Sequence, residues 1–283
     1  MDYRKLFEVK AGERVKLAKV DPEFTGKHPS EQHAKRETEK YLKKLNDLQN
    51  LLYSEGRHAL LVVLQAMDAG GKDGTVRHVL GAMNPQGTRV TSFKQPTAEE
   101  LKHDFLWRVH PHAPARGMVS VFNRSHYEDV LVVRVHKLVP RKVWSRRFDF
   151  INDFEKRLHR ENDTHIVKFF LHISREEQLK RFEQRLVDPA RNWKISEEDY
   201  KEREYWDDYV KAYEDVFAET STKHAPWYII PANQKWFRNL AVSQIIADTM
   251  EEIGMQMPKA QVDLEMIRWQ YHAAAEESAT KRK

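Results

Sequence analysis

The sequence contains no cysteine. Disulfides, thiolate metal sites and a cysteine nucleophile are therefore excluded, and the composition suits a reducing, cytoplasmic setting. Also missing is any apolar run near the ~20 residues that a membrane-spanning helix needs. The opening stretch MDYRKLFEVK has no hydrophobic segment of the secretory kind, so a cytoplasmic protein without a membrane partner is expected. Internal repeats and Gly/Pro-rich linkers are lacking as well, which favours one domain over residues 1–283. Charge of one sign is in small excess: 48 basic against 43 acidic residues give +5. Two readings of that excess stand, a solvated salt-bridged surface or a polyanion partner. What the chain does have is 40% hydrophobic content with 7 Trp and 13 Phe, enough to build a core and exclude global disorder.

Five short apolar runs read as buried parallel strands: Ala59–Gln65, Arg89–Phe93, Met118–Phe122, Ile166–Ile173 and Trp227–Ile230. They lack strict alternation, as strands covered on both faces do. Helical stretches separate them at Thr75–Met83, Thr97–His110, Tyr127–Val135 and Arg141–Arg160. That alternation implies βαβ units, and so an α/β fold with a parallel five-stranded sheet flanked by helices. Before the sheet, Ser30–Tyr53 carries Tyr41, Leu45, Leu48 and Leu52 at helical spacing. Ser30 and Ser174 are candidate N-caps, the latter with Glu177 completing a capping box. Arg175–Phe217 is highly charged with interleaved aromatics. It reads as too polar for a central core and is expected to lie over one end of the sheet as a helical region (174–217). Phe237–Ile253 forms a final helix against the sheet or a partner, with Leu240, Ile245 and Ile246 open to either. Residues 270–283 read as a flexible tail.

The stretch LVVLQAMDAGGKDGTVRHVLGAMNP, Leu61–Pro85, has the strand–turn–helix order of a phosphate-binding P-loop. It departs from G-x-x-x-x-G-K-[ST] twice, at Ala66 and at Asp73. Open sheets bind ligands at the carboxyl ends of their strands, where Ala66–Thr75 falls. Gly70 and Gly71 allow the backbone N–H groups of Ala69 through Thr75, Gly74 included, to turn toward an anion, and Lys72 adds a mobile charge. A plain tight turn is the alternative, since Gly-Gly and Asp-Gly are common punctuation. Asp68 and Asp73 tip the balance, because carboxylates in an anion-binding turn call for a cation. Mg²⁺ bridging phosphate oxygens and held by one or two carboxylates resolves the conflict, with Asp68 the first choice. An N-cap role is the alternative for Asp73.

Two further stretches carry chemistry. In VSVFNRSHYEDVLVVRVHKLVP, Val119–Pro140, a strand runs into Asn123 and Arg124, with Glu128 and Asp129 on the next helix and Arg134 and Lys137 nearby. The strand end is where a P-loop enzyme places a second metal contact, so Asn123 and Glu128 join Asp68 as candidate metal residues, with Asp129 an alternative to Glu128. Solvent-facing positions are the alternative for Arg134 and Lys137, and His126 reads as structural or as a hydrogen-bond donor. In SREEQLKRFEQRLVDPARNWK, Ser174–Lys194, Arg181 and Arg185 fall four apart, so both can meet one anion. Lys194 follows on a loop. A mobile lid bringing arginines over a transferring phosphate uses such a pattern, and a self-paired charged helix is the alternative.

Together "MDAGGKDGT", "FNRSHYEDV", "DPARNWK" and "APWYIIPAN" resemble polyphosphate kinase family 2, over about Leu45 to Met255. The resemblance implies a P-loop kinase-like fold with a lid, and Mg²⁺-dependent transfer of the terminal phosphoryl group of inorganic polyphosphate to AMP or ADP, with Mn²⁺ a possible substitute. It matches Asp68, Gly70, Gly71 and Lys72 to the family's Walker A loop, in which the missing first glycine is normal, and Arg181 and Arg185 to its lid arginines. Many members carry aspartate where this chain has Asn123. The FNRSHYED version is similar to class III, whose members phosphorylate both nucleoside mono- and diphosphates. The catalytic set implied is Asp68, Lys72, Arg124, Arg181 and Arg185. Ala69, Gly70, Gly71, Lys72, Asp73, Gly74, Thr75, Arg134, Lys137 and Lys194 would bind phosphate, and Asn123, Arg124 and Glu128 the nucleotide. A homo-oligomer is expected by analogy. An ATP-dependent small-metabolite kinase and a nucleic-acid binder are the competing readings; the second gives no reason for carboxylates within a glycine turn.

Overall fold

The computed structural model describes residues 1–280. The strands in chain order are β1 (Glu8–Val9), β2 (Ala59–Gln65), β3 (Thr88–Ser92), β4 (Val119–Asn123), β5 (Thr164–His172) and β6 (Trp227–Pro231). The helices are α1 (Tyr3–Phe7), α2 (Glu31–Glu55), α3 (Lys72–His78), α4 (Glu128–Val135), α5 (Arg141–Asn162), α6 (Arg175–Val187), α7 (Glu197–Glu204), α8 (Trp206–Thr220), α9 (Lys235–Glu252) and α10 (Leu264–Thr280). The sheet order is β1-β6-β5-β2-β4-β3. All five expected strands are present, start and end within two residues of their expected bounds, and pair in parallel. A sixth, two-residue strand, β1, joins antiparallel at the β6 edge.

Every side chain of β2 is buried, because β2 sits mid-sheet with β5 on one side and β4 on the other. The chain returns to opposite sides of β2 before and after β4. Such a reversal opens a crevice at the carboxyl ends of the central strands. One apolar layer lies under α2, α3 and α9 and includes Leu45, Leu52, Leu240, Ile245 and Ile246. The other lies under α4, α5 and α8 and includes Phe148, Ile151, Phe154, Tyr213 and Phe217. Leu240, Ile245 and Ile246 are thus turned to the sheet and fully buried.

Several local expectations change. Thr97–His110 is not an α-helix; it breaks into 3₁₀ turns at Glu100–Lys102 and His110–His112. Polar side chains compete for its backbone: Glu100 accepts from the Thr97 N–H, and Asp104 from the Leu106 N–H. The helix after the loop begins at Lys72, earlier than Thr75, and ends at His78. Strand β3 is at the sheet edge and partly exposed, with Val90 44% accessible, so it is not covered on both faces. Arg175–Phe217 is not uniformly outside the core either. Helix α8 spaces Ala212, Tyr213, Val216 and Phe217 along one face and buries them, because a helix can be charged on one side and apolar on the other. Leu264–Thr280, which takes in most of the stretch read as a tail, is helical, and residues 281–283 of that expectation lie outside the described residues. Ser174 caps α6 by accepting from the Glu177 N–H at 3.1 Å, whereas the Ser30 hydroxyl bonds His33 instead. Among the described residues no helix is long and apolar enough to cross a membrane.

Candidate active site

The chain leaves β2 at Gln65 and turns sharply. Gly70 has no room for a side chain: a Cβ there would overlap the Ala66 methyl and lie 2.8 Å from the Met67 carbonyl oxygen. Ala66 thus replaces the usual glycine at no steric cost, because Gly70 leaves its methyl that space. Ala69 takes a left-handed φ of 57° and Gly71 one of 106°, the latter as N-cap of α3. Lys72 is buried, and its Nζ donates to the Ala66 carbonyl at 3.0 Å. Burial, and then the charge of Arg124, lower its pKa, while Asp68, Glu128 and Asp73 work in the opposite sense. The Thr75 hydroxyl donates to the Gly71 carbonyl at 3.2 Å and so braces its own turn.

The neighbouring strand end forms the opposite bank. Register pairs Leu64 with Asn123, and the Arg124 N–H donates to the Leu64 carbonyl at 3.1 Å. Arg124 also has a left-handed φ, 60°, an uncommon backbone state for a bulky residue and one that concentrates at functional sites. Its Nη2 lies 3.1 Å from Asp68 Oδ1. Burial alone would lower the Arg124 pKa, but Glu128 and Asp68 raise it. Glu128 is pushed up by burial and by Asp68, against the pull of Arg124 and Lys72. The Asn123 amide donates to Asp73 Oδ1 at 2.9 Å. An aspartate at position 123 would set two carboxylates at that distance, so the asparagine removes a repulsion as well as a charge. Asp73 is held below the ordinary carboxylate range, against burial, by Asn123 and Lys194. It lies in the first turn of α3 after the N-cap Gly71 and does not cap the helix. Asp129 is bound to Arg147 of α5 at 3.2 Å, and burial raises its pKa to about 6.

Helix α6 supplies the third wall. Gln178 donates to the Asp68 carbonyl at 3.0 Å. Arg181 is buried: Nε bonds Glu177, Nη1 the Ala69 carbonyl at 2.8 Å, and Nη2 the carbonyls of Ala232 and Asn233. Arg185 does not converge with it. Its Nη1 donates to the Lys194 carbonyl at 2.9 Å, because α6 ends at Val187 and the chain folds back over it. That return places Lys194 Nζ 3.5 Å from Asp73, a strap from the segment after α6 onto the loop. Arg134 pairs with Asp215 of α8 at 2.8 Å and stacks over Trp144, and Lys137 is exposed in the turn after α4. Neither contacts the loop in any hydrogen bond or ion pair among the described residues.

Sequence reasoning passed over three contributors. Gln178 donates to the Asp68 carbonyl and Gln65 to the Ser125 hydroxyl at 3.1 Å, each holding a turn, and no pattern marks such a residue. Arg238 lies in a helix read only for its apolar face, yet its guanidinium abuts Gly71 and Gly74. Behind the second motif, Lys168 donates to Glu155 at 2.6 Å, to the Tyr127 hydroxyl at 2.8 Å and to the Thr220 carbonyl at 2.8 Å, with His126 Nε2 3.3 Å from Glu155. His126 is thus a buried partner of Glu155, in line with the structural or hydrogen-bonding role expected of it.

Among the described residues no group of three or more His, Cys, Asp or Glu side chains is placed to hold a metal by itself. The turn instead brings two carboxylates, Asp68 and Asp73, beside a buried lysine and the guanidinium groups of Arg124 and Arg181. The AMP/ADP-polyphosphate phosphotransferase of Meiothermus ruber is 49% identical over 264 residues, covering 93% of this chain and 98% of that one. The ADP-polyphosphate phosphotransferase of Rhodopseudomonas palustris is 48% identical over 267 residues, covering 90% and 92%. The crystal structure of polyphosphate kinase 2 from Arthrobacter aurescens superposes with a TM-score of 0.89 at 44% identity, covering 100% of this chain and 98% of that one. A family model described as polyphosphate kinase 2 matches residues 28–258, a span that takes in the loop, both of its banks and the strap, and the chain belongs to that family.

Proposed function

We infer that this protein is a polyphosphate-dependent nucleotide kinase that transfers the terminal phosphoryl group of inorganic polyphosphate to AMP and ADP. One observation carries the reading: a glycine turn with a buried lysine lies between a bank bearing carboxylates and a wall of arginines. An acceptor phosphate oxygen attacks the terminal phosphorus of the chain. The new P–O bond forms as the bridging P–O bond breaks, and the shortened chain leaves as an anion. The acceptor's second pKa is about 6, so its oxygen is mostly ionised at neutral pH and needs no strong base. Positioning and charge stabilisation then carry the catalysis.

In this reading Lys72 stabilises charge on the transferring group, and Arg124 spans donor and acceptor. The N–H groups of the Ala69–Thr75 turn cradle phosphate. Arg181 fixes the loop, because four of its five N–H groups hold Glu177 and three backbone carbonyls, which leaves one Nη1 proton for a ligand. Segment 188–196 serves as the lid, latched by Lys194 on Asp73. Asp68 and Glu128, with the Asn123 side-chain oxygen, fit a Mg²⁺ ion. Such an ion takes one or two carboxylates and completes its shell with phosphate and water, and the raised pKa of Glu128 beside Asp68 is what a cation would relieve. Bound there, it neutralises phosphate charge. Homo-oligomerisation, a single domain and a cytoplasmic setting belong to the same proposal.

The test is purified protein with Mg²⁺, long-chain polyphosphate and either ADP or AMP, scored for ATP and ADP. No product from either acceptor with any divalent ion sinks the reading. Asp68→Asn is expected to lower kcat about 100-fold, the scale of one lost electrostatic contact, with partial recovery at raised Mg²⁺ or with Mn²⁺. If neither ion helps while both substrates still bind, the metal role of Asp68 fails.

A further inference from the structure

Arg238 of α9 is 2% exposed, yet no carboxylate pairs with it among the described residues. Its hydrogen bonds, from Nε and Nη2, go to the side-chain oxygen of its neighbour Asn239, and among the described residues none is made by Nη1. Burial, with the nearby charge of Arg181, pushes its pKa down to about 9. A buried cation without a counter-charge is costly, and a second buried guanidinium, that of Arg181 with Glu177 as its acid, stands beside it. The position a Gly71 Cβ would occupy overlaps Arg238 Nη1 and lies 3.7 Å from Arg181 Nη1. The two nitrogens are therefore no more than about 6 Å apart, the span one oxygen bridges with two N–H···O bonds of ~2.9 Å. Gly71 and Gly74 leave Arg238 its place, since a Cβ on Gly74 would lie 3.0 Å from Nη2. Lys235, one turn earlier on the same helix, feels Arg181, Arg191 and Arg238 as repelling charges, with Glu177 the acid among them.

We propose that Arg238 and Arg181 form an anion subsite on the α6–α9 side of the glycine turn, in which a phosphoryl oxygen of a substrate bridges the two guanidinium groups, with Lys235 and Arg191 extending the cationic surface outward. The sheet order separates this side from the carboxylates: α6 and α9 follow β5 and β6, whereas Asn123, Arg124 and Glu128 follow β4 across β2. A phosphate chain with about one charge per residue suits the side where cations outnumber acids. The nucleotide phosphates suit the side where Asp68 and Glu128 await a metal. The proposal rests on the polyphosphate reading and assigns a place within it.

The probe is tripolyphosphate without nucleotide or metal, titrated by calorimetry into the full chain and into Arg238→Met and Arg238→Lys, with AMP and ADP as separate arms. Arg238→Met is expected to weaken tripolyphosphate about 10- to 100-fold, the worth of hydrogen bonds to a charged group, and to raise the KM for polyphosphate more than that for ADP. Its ligand-free melting temperature should hold or rise, since a repelling buried charge is gone. Arg238→Lys keeps the charge but loses the fork and should fall between. If Arg238→Met does not fold, the lysine variant decides by the same titrations. Unchanged tripolyphosphate affinity overturns the proposal, as does a loss confined to AMP or ADP. A lowered melting temperature with both affinities intact also overturns it and leaves Arg238 a packing residue. If wild type neither binds tripolyphosphate nor turns over polyphosphate, the functional reading itself has failed; if wild type does both and Arg238→Met matches it, only the subsite has.

Discussion

Lys72→Met is expected to lower kcat by about 1,000-fold, the upper range for removing one preorganised group that meets developing charge, while leaving the fold intact. The two effects separate because, among the described residues, the lysine has no ion pair and its amine is held by the Ala66 carbonyl alone. Methionine fills a similar volume and removes a desolvated charge, so the melting temperature should hold or rise slightly. The pH dependence carries a sign. Burial and Arg124 lower the Lys72 pKa, so the free enzyme loses this proton below the ~10.4 of an ordinary lysine. Through that window the unfolded chain binds more protons, and this residue adds stability as pH rises. Activity runs the other way: kcat/KM should fall as pH rises through the lowered pKa. A bound polyanion restores the proton, so kcat should fall only at higher pH. Full activity in Lys72→Met, or alkaline limbs that coincide, would remove Lys72 from the reaction.

Lys168→Met carries the second large effect, on stability. Lys168 and Glu155 are both wholly buried, and deleting one partner strands the other's charge at a cost of about 3–5 kcal/mol. At roughly 2–4 °C per kcal/mol for a chain of this size, the melting temperature should drop on the order of 10 °C. Lys168→Met combined with Glu155→Leu should recover a large part of that loss, because a dry apolar pair replaces an orphaned charge. Burial alone would raise the Glu155 pKa, but Lys168 and His126 hold it below the ordinary value. Its stabilisation is therefore present above the unfolded carboxylate pKa and is lost as pH falls through the folded one. The wild type should lose stability on that acid side, and the double variant should lose less. A double variant no more stable than the single one would remove the ion pair as the cause.

The residues of the site were legible where chemistry forces a residue type. A turn that grips phosphate needs glycines and a cation, so Gly70, Gly71 and Lys72 could be read directly. Asp68 stood out because a carboxylate among them is otherwise unfavourable. The arginines were legible as charges but not as contacts. Arg181 and Arg185 share a helix face, yet one is buried under the loop and the other turned to Lys194, since the chain beyond α6 folds back on only one of them. Arg134 and Lys137 follow the second motif closely, but α4 carries them away from the loop toward α8 and the next turn. Arg238 was invisible because it lies far along the chain, and only helix packing brings it to Gly71.

By itself the sequence determined the α/β class, the five parallel strands and the strand–turn–helix loop. Each of these follows from local spacing, and local rules survive folding. Tertiary structure decided which cations face the glycine turn and which brace the protein. It turned Asn123 toward Asp73, made half of α8 core, and set two guanidinium groups around one glycine. Those outcomes depend on distances between segments far apart in the chain, where burial and like-charge repulsion act on whichever side chains packing brings together.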